Sequence, residues 1–481
     1  MGDLNRINRL DIVLGYIDWT VVLVGVVISL SAAVHALLHH RKPQSTFTWV
    51  AVCIMWPLVG AVLYFMFGKN RVITRAKRLH GSAEAPVVAR VISPIMPDNY
   101  SSLGQLSQAV TGKDLTQFNT ITPLFNGAQV YPAMLDAINN ATTNIYLLSY
   151  IFDYKGAGID FVAALAAAKT RGVEVKVLID GVGEKYSLPT ARSRLARLGV
   201  DTASYFPPKL IPPTFTLNLR NHRKLLIIDD KIAFTGGMNI RGSYLGESGT
   251  QSAVRDIHFK LMGEVIQQLR ATFVADWNFS SDTPIIKTRI LAADSKSAGT
   301  ALCRVIEAGP NEDIDKLVRI LIGAVGAAKH RVSIMTPYFL PPRELELALQ
   351  TAVLRGVRVD VLMPANNNLP IVKWAANHAM MDMLKIGVNC YFQPGFFVHS
   401  KLFIVDDVYV QIGSANFDPR SLRLNFELMV EVYDAEFASA MLTHFDQSLM
   451  NSQPISHRHM SKRIILYRLR DALAWLLSPF L

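Results

Sequence analysis

With 481 residues, 50% of them hydrophobic, the chain has room for about two to four structural units and carries more apolar side chains than a soluble enzyme needs. Its formal net charge of +11 calls for an anionic partner, which lipid headgroups or nucleic acid would supply. Cys53, Cys303 and Cys390 stand too far apart for a disulfide framework or a cysteine-based zinc site, and they fit a reducing compartment.

Two runs free of Asp, Glu, Lys and Arg, residues 19–38 and 47–68, each approach the ~20 residues that cross a bilayer. They read as a transmembrane hairpin within a membrane anchor spanning residues 1–70. The first run is long for a signal peptide and a second follows at once. Neither shows the polar face of a helix packed on a soluble surface. Lys69, Arg71, Arg75, Lys77 and Arg78 outnumber Arg41 and Lys42 of the connecting turn, which puts both ends in the cytoplasm. The expected arrangement is multi-pass, with the large domain facing the cytoplasmic leaflet. An anchored cationic chain suits acidic lipid better than nucleic acid.

A basic, proline-dotted linker follows at residues 71–115. Strand-like and helix-like stretches then alternate, as in α/β architecture, and the alternation happens twice. In the first half a helical run near 133–141 precedes an apolar strand at 145–152, an Ala-rich helix and the strand after Arg171-Gly172. The second half repeats the order with 317–328, 332–339 and the strand after Arg355-Gly356. Two similar α/β lobes, 116–295 and 296–454, are predicted, related by a pseudo-two-fold. In the tail, 455–481, Leu466, Leu469, Leu473, Leu476, Leu477 and Phe480 share one helical face, opposite Arg463, Tyr467, Arg470 and Asp471. A basic amphipathic helix of this kind suits a membrane surface, and packing on the protein's own core is the competing reading.

Each half closes with one pattern: His222, Lys224, Asp229 and Asn239, then His399, Lys401, Asp406 and Asn416. A small pair precedes each Asn, Gly236-Gly237 in the first copy and Gly413-Ser414 in the second. Recurrence in register makes a specific signal from a pattern that is weak alone. Strand alternation puts His222 and Lys224 on one face and leaves Asp229 in the following turn. The two aspartates are therefore expected to hold structure although they belong to the candidate catalytic motif. One imidazole can attack phosphorus while the second protonates the leaving oxygen, and ammonium and amide groups can hold the non-bridging oxygens. Asp256 and Glu427 are the carboxylates placed to orient the imidazoles. No metal-ligand spacing such as H-E-x-x-H or C-x-x-C occurs, and no metal or other cofactor is expected.

The segments Asn221-His222-Arg223-Lys224, Gly236-Gly237-Met238-Asn239, His399-Ser400-Lys401 and Gly413-Ser414-Ala415-Asn416 resemble the paired motifs of the phospholipase D superfamily. Phe47-Thr48-Trp49, Phe67-Gly68-Lys69-Asn70-Arg71, Asn416-Phe417-Asp418-Pro419-Arg420-Ser421 and Asn425-Phe426-Glu427 narrow the resemblance to its bacterial cardiolipin synthases, over essentially the whole chain. That resemblance implies metal-independent transphosphatidylation: two phosphatidylglycerols give cardiolipin and glycerol through a phosphatidyl-histidine. It implies His222 as nucleophile, His399 as general acid, and Lys224, Lys401, Asn239, Asn416 and Ser414 around the phosphate. Gly237 opposite Ser414 makes the halves unequal and keeps the nucleophile assignment open. Phosphatidylethanolamine remains open as one donor. The competing readings are a membrane-anchored phospholipase D releasing phosphatidic acid, a nuclease, and an idle lipid-binding scaffold. The apolar, aromatic loop at 205–215 and the two runs speak against the nuclease.

Overall fold

The computed structural model describes residues 19, 22–38, 43–65, 100–208, 219–246, 254–285, 299–310 and 314–478. They fall into two compact units, 1–79 and 80–481.

The first unit is helical, with one helix at 22–38 and two shorter ones, Pro43–Met55 and Val59–Leu63. The run 47–68 was expected as one span, but it breaks at residues 56–58. Pro57 cannot donate to the helical ladder, and Leu58 takes a left-handed φ of 67°. The Leu58 N–H, freed from the ladder, donates to Ser29 Oγ at 2.9 Å, and Tyr64 OH meets His35 Nδ1 at 2.7 Å. Among the described residues no helix is long and apolar enough to cross a membrane. The cations expected to set orientation, Arg41, Lys42 and Lys69 to Arg78, lie outside the described residues, as does most of the loop at 205–215.

The second unit is built on one sheet of fifteen described strands. From the centre outward, the first half runs Thr116–Phe125, Ile257–Met262, Ile232–Gly236, Leu225–Ile228, Asn144–Ser149, Glu174–Asp180 and Asp201–Tyr205. The second half runs Ala301–Ala308, Glu427–Tyr433, Tyr409–Gly413, Leu402–Val405, Arg331–Met335, Arg358–Pro364 and Asn389–Gln393, with Gln453–Ile455 beyond. The halves match strand for strand, and their innermost strands pair antiparallel through Thr116 with Cys303 and Asn119 with Ala301. This is the pseudo-two-fold expected from the duplication.

The strands Asn144–Ser149 and Glu174–Asp180 pair in parallel and are buried almost throughout, because helices cover both faces of the sheet. In each half a helix ends in the dipeptide Arg-Gly just before its second parallel strand. Gly172 and Gly356 take φ of 90° and 89°, the left-handed turn that stops a helix at little cost only for glycine.

Part of the expected linker is folded. Ser101–Thr111 is a helix that packs on Lys316–Ala327, with Leu103 buried and Leu106 and Val110 against the same core. Its face repeats every three or four residues but is diluted by Ser and Gly, which hid it in the sequence. Tyr100, just before it, donates its hydroxyl to Asp406 at 3.1 Å, and Ser107 donates to Glu431 at 2.9 Å.

Candidate active site

Both motifs sit where a loop enters a sheet strand at the seam between the halves. Asn221 bridges Phe426 of the other half, and Phe397–Val398 pairs in parallel with Val254–Arg255. The crossing places each motif histidine on a backbone carbonyl of the opposite half. His222 N–H donates to Phe426 O at 2.9 Å, and His399 N–H to Arg255 O at 2.7 Å.

The side chains cross in the same way. His222 Nδ1 lies 3.0 Å from the Glu427 carboxylate, and His399 Nδ1 lies 2.9 Å from Asp256 Oδ2. Each imidazole is thus aimed by an acid from the other half, with Nδ1 occupied and Nε2 left for chemistry. Both carboxylates are fully buried and held below the usual range. Burial raises them, but His222 beside Glu427, and Lys401 with His399 beside Asp256, outweigh it.

The cations form one cluster. Lys401 Nζ lies 2.9 Å from His399 Nδ1, and Lys224 Nζ donates to His222 O at 2.6 Å. Burial pushes Lys224 down to about 7 and Lys401 to about 8, only partly offset by Glu427 and Asp256. Burial, with Lys401 beside it, pushes His399 down to about 4, and burial lowers His222 against the opposing pull of Glu427. The Lys401 charge acts on His222 and the Lys224 charge on His399, so the two copies share one electrostatic site. A site of this kind favours neutral imidazoles and holds lysines that gain from an anion.

Asn239 and Asn416 are buried beside the cluster. Asn239 Oδ1 accepts from Ile151 N–H at 3.1 Å, which fixes its amide. The Asn416 amide supports Asp418, and its Oδ1 has no hydrogen-bond partner among the described residues. Tyr150 meets His222 edge-on with ring centres 5.2 Å apart, and Tyr244 and Phe397 flank His399 at 6.3 and 5.8 Å.

Asp229 and Asp406 point away, as strand parity implies. Asp229 accepts N–H groups from Thr142, Thr143 and Asn144 and hydroxyls from both threonines, at 2.7 to 3.1 Å. Asp406 accepts N–H groups from Lys329, His330 and Arg331 at 2.8 to 3.0 Å. Each pins its hairpin to the start of the neighbouring antiparallel strand. Ser414, expected on the phosphate, is elsewhere: its buried hydroxyl donates to Glu427 Oε2 at 2.5 Å and accepts from Leu428 N–H. The first half carries glycine there because a Cβ at Gly237 would stand 2.5 Å from Asp256 Oδ2. The inequality between halves therefore lies in how the two carboxylates are held.

Behind the motif strands lies a further layer of charged residues that the motif pattern does not include. Arg223 alternates with His222 and Lys224, so it turns to the opposite face, where it bonds Asp276 at 2.8 Å beside Asn221. Asp180 accepts from Arg220 and from Asn221 N–H and fixes the entry to His222. A buried Arg between two motif residues was the signal for this network, since such a charge demands an acid. In the second half Ser400 stands in place of Arg223 and lines a cavity of about 580 Å³ with Gln393, Met335 and His444.

The family described as "Cardiolipin synthase, PLD-like domain" matches residues 134–277 and 321–449, and "Phospholipase_D-nuclease N-terminal" matches 27–69. Cardiolipin synthase 1 of Staphylococcus epidermidis is 31% identical, covering 100% of this chain and 99% of its own. Cardiolipin synthase of Oceanobacillus iheyensis is 30% identical over 95% of this chain and 98% of its own. Among solved structures, phosphatidylserine synthase of Haemophilus influenzae Rd KW20 covers 79% of this chain and 100% of its own, with a TM-score of 0.61 at 15% identity, a likeness of fold. With its motifs crossed into one cationic site and its whole length shared with such relatives, the chain belongs to the phospholipase D-like cardiolipin synthase family.

Proposed function

We propose that this chain is a phosphatidyltransferase that joins two phosphatidylglycerol molecules into cardiolipin and releases glycerol. The observation that carries the reading is the crossed pair, His222 on Glu427 and His399 on Asp256, around one cluster of lysines.

His222 Nε2 attacks the phosphorus of the donor, the bond from phosphorus to the headgroup glycerol oxygen breaks, and His399 gives that oxygen its proton. The His222–phosphorus bond now holds the phosphatidyl group. The primary hydroxyl of a second phosphatidylglycerol then yields its proton to His399, its oxygen attacks phosphorus, and the bond to His222 breaks. Protons and charge balance across the two steps. A bound phosphodiester brings a negative charge beside His399 and lifts it from about 4 toward the protonated form that the first step needs. Lys224, Lys401, Asn239 and Asn416 hold the non-bridging oxygens, while Asp229 and Asp406 hold the strands. The reaction as written uses no metal or other cofactor.

Residues 19–38 and 47–68 act as the membrane anchor, in the bacterial inner membrane with the lobes on the cytoplasmic side. The kinked second segment serves as part of that anchor. Lipid at high local concentration competes with water for the covalent intermediate, which favours transfer over hydrolysis.

Purified protein incubated with labelled phosphatidylglycerol should yield cardiolipin and free glycerol, resolved by thin-layer chromatography. Released phosphatidic acid without cardiolipin would replace this reading with a hydrolase. Ethanolamine release from mixed vesicles would make phosphatidylethanolamine the donor.

A further inference from the structure

The final helix, Ile465–Leu476, lies along Pro370–Ile386 with its polar side inward. Asp471 is 2% exposed and accepts from Arg463 and Arg470 at 2.7 Å and from Asn377 Nδ2 at 3.3 Å. The Arg470 guanidinium stacks over the Trp374 ring at 4.5 Å, and Ala474 packs on Leu340, Ala375 and Ala379. The apolar side faces out. Leu466, Leu469, Leu473 and Leu476 form one stripe, spaced by three or four residues, and are 54 to 70% exposed. A helix that only served as a lid on the core would bury that stripe and show its arginines.

Soluble surfaces rarely present contiguous apolar patches beyond a few hundred Å² unless something covers them. The surroundings identify the cover. Exposed Ile465 and Leu477 extend the stripe, and Arg458 and Lys462 just before the helix and Arg468 within it are exposed as well. An outward apolar side together with solvent-facing cations is the layout of a helix lying in the plane of an anionic bilayer. A second copy of this chain would bring the same cations face to face.

The helix also reaches the site. Leu340, in the cluster beneath it, donates its N–H to Phe417 O at 2.7 Å, next to Asn416. We propose that Ile465–Leu476 is a lipid-docking helix that seats its leucine stripe at the headgroup–acyl boundary and holds the Asn416 turn at the membrane surface. This goes beyond the function proposed above and does not depend on which lipid is the donor.

The test uses the full chain in vesicles of phosphatidylglycerol and phosphatidylcholine. Leu473→Cys, or Leu354→Cys as a still more exposed control on Arg343–Leu354, is labelled with bimane; Cys53, Cys303 and Cys390 are buried. Nitroxide-bearing lipid should quench the label at 473 several-fold more than at 354, and less when phosphatidylglycerol is left out. Leu466→Gln, Leu469→Gln and Leu476→Gln together should abolish that quenching and lower turnover on vesicles, while turnover of a short-chain soluble diester stays near wild type. These side chains are more than half exposed, so folding is spared. Equal quenching at both positions, quenching that survives the triple change, or cross-linking between chains at 473 without lipid quenching would each overturn the proposal. Quenching at 473 in a preparation that makes no cardiolipin would uphold it and refute the function proposed above instead.

Discussion

The crossed carboxylates divide the labour between the halves, so Glu427→Gln and Asp256→Asn should fail at different steps. Glu427 accepts from His222, from Ser414 Oγ at 2.5 Å and from Asn425 Nδ2 at 3.2 Å, so both its oxygens are engaged. Glutamine keeps the size but replaces one acceptor by a donor and removes the charge that stabilises a cationic imidazole. Loss of a group that orients a reacting histidine costs about 10- to 100-fold, or about 1.4 to 2.7 kcal/mol of barrier. In E427Q that loss should fall on attack, because His222 is the ring that Glu427 aims. In D256N it should fall on proton transfer at His399. A phosphatidyl ester of p-nitrophenol separates the two, since p-nitrophenolate leaves without a proton. Rapid-mixing measurements should show a near-normal burst of p-nitrophenolate in D256N and a burst slowed about 10- to 100-fold in E427Q. The reverse pattern would make His399 the nucleophile. Effects below about threefold in both variants would refute the crossed assignment, being far short of the orienting effect expected.

Four further outcomes follow from the same geometry. Asp406→Asn should cost about 2 to 3 kcal/mol of stability, since it weakens three N–H contacts to a carboxylate; chemical denaturation should show the loss, and loss of turnover in a fully stable protein would contradict it. Asp229 is drawn up by burial, but the hydrogen bonds of Thr143 and Thr142 outweigh this and hold it below its ordinary value. Its contribution should be present above the unfolded carboxylate pKa and fade as pH falls below about 4, a window that Asp229→Asn should erase in pH-dependent unfolding. In the proposed reaction Lys224 and Lys401 hold phosphate as cations, and burial pushes them to about 7 and about 8, so kcat/KM should fall as pH rises through that range. A falling limb near the ordinary lysine value would show that they stay charged in the free enzyme. Gly237→Ser should push Asp256 off His399, because its Cβ would stand 2.5 Å from Oδ2. It should therefore mimic D256N in the p-nitrophenyl assay, and an unchanged turnover of phosphatidylglycerol would refute the clash.

Much of this was legible in the chain because duplication writes the same constraint twice. The α/β alternation, the two lobes, the seam and the structural part played by Asp229 and Asp406 follow from periodicity and parity, which act within a few residues. Asp256 and Glu427 could be named from their place after each motif, but not their crossing. That depends on Val254–Arg255 pairing with Phe397–Val398 and on Asn221 bridging Phe426, contacts about 140 to 205 residues apart that no local pattern encodes. Ser414 misled for the same reason: a hydroxyl before a phosphate-site Asn looks like a donor to substrate until the strand beside it brings Glu427 within 2.5 Å. The tail is a different case. Amphipathicity tells which residues share a face but not which face turns inward. Here Asp471, surrounded by Arg463, Arg470 and Asn377, gives the polar side enough internal bonds to be buried, and the leucines are left outside. Asp471→Leu should remove the acceptor for both arginines and loosen the helix from Pro370–Ile386, seen as faster amide exchange across 465–476. If the helix stays as protected as before, its orientation is set by the small contacts of Ala474 alone, and the charge network around Asp471 is a consequence of the packing instead of its cause.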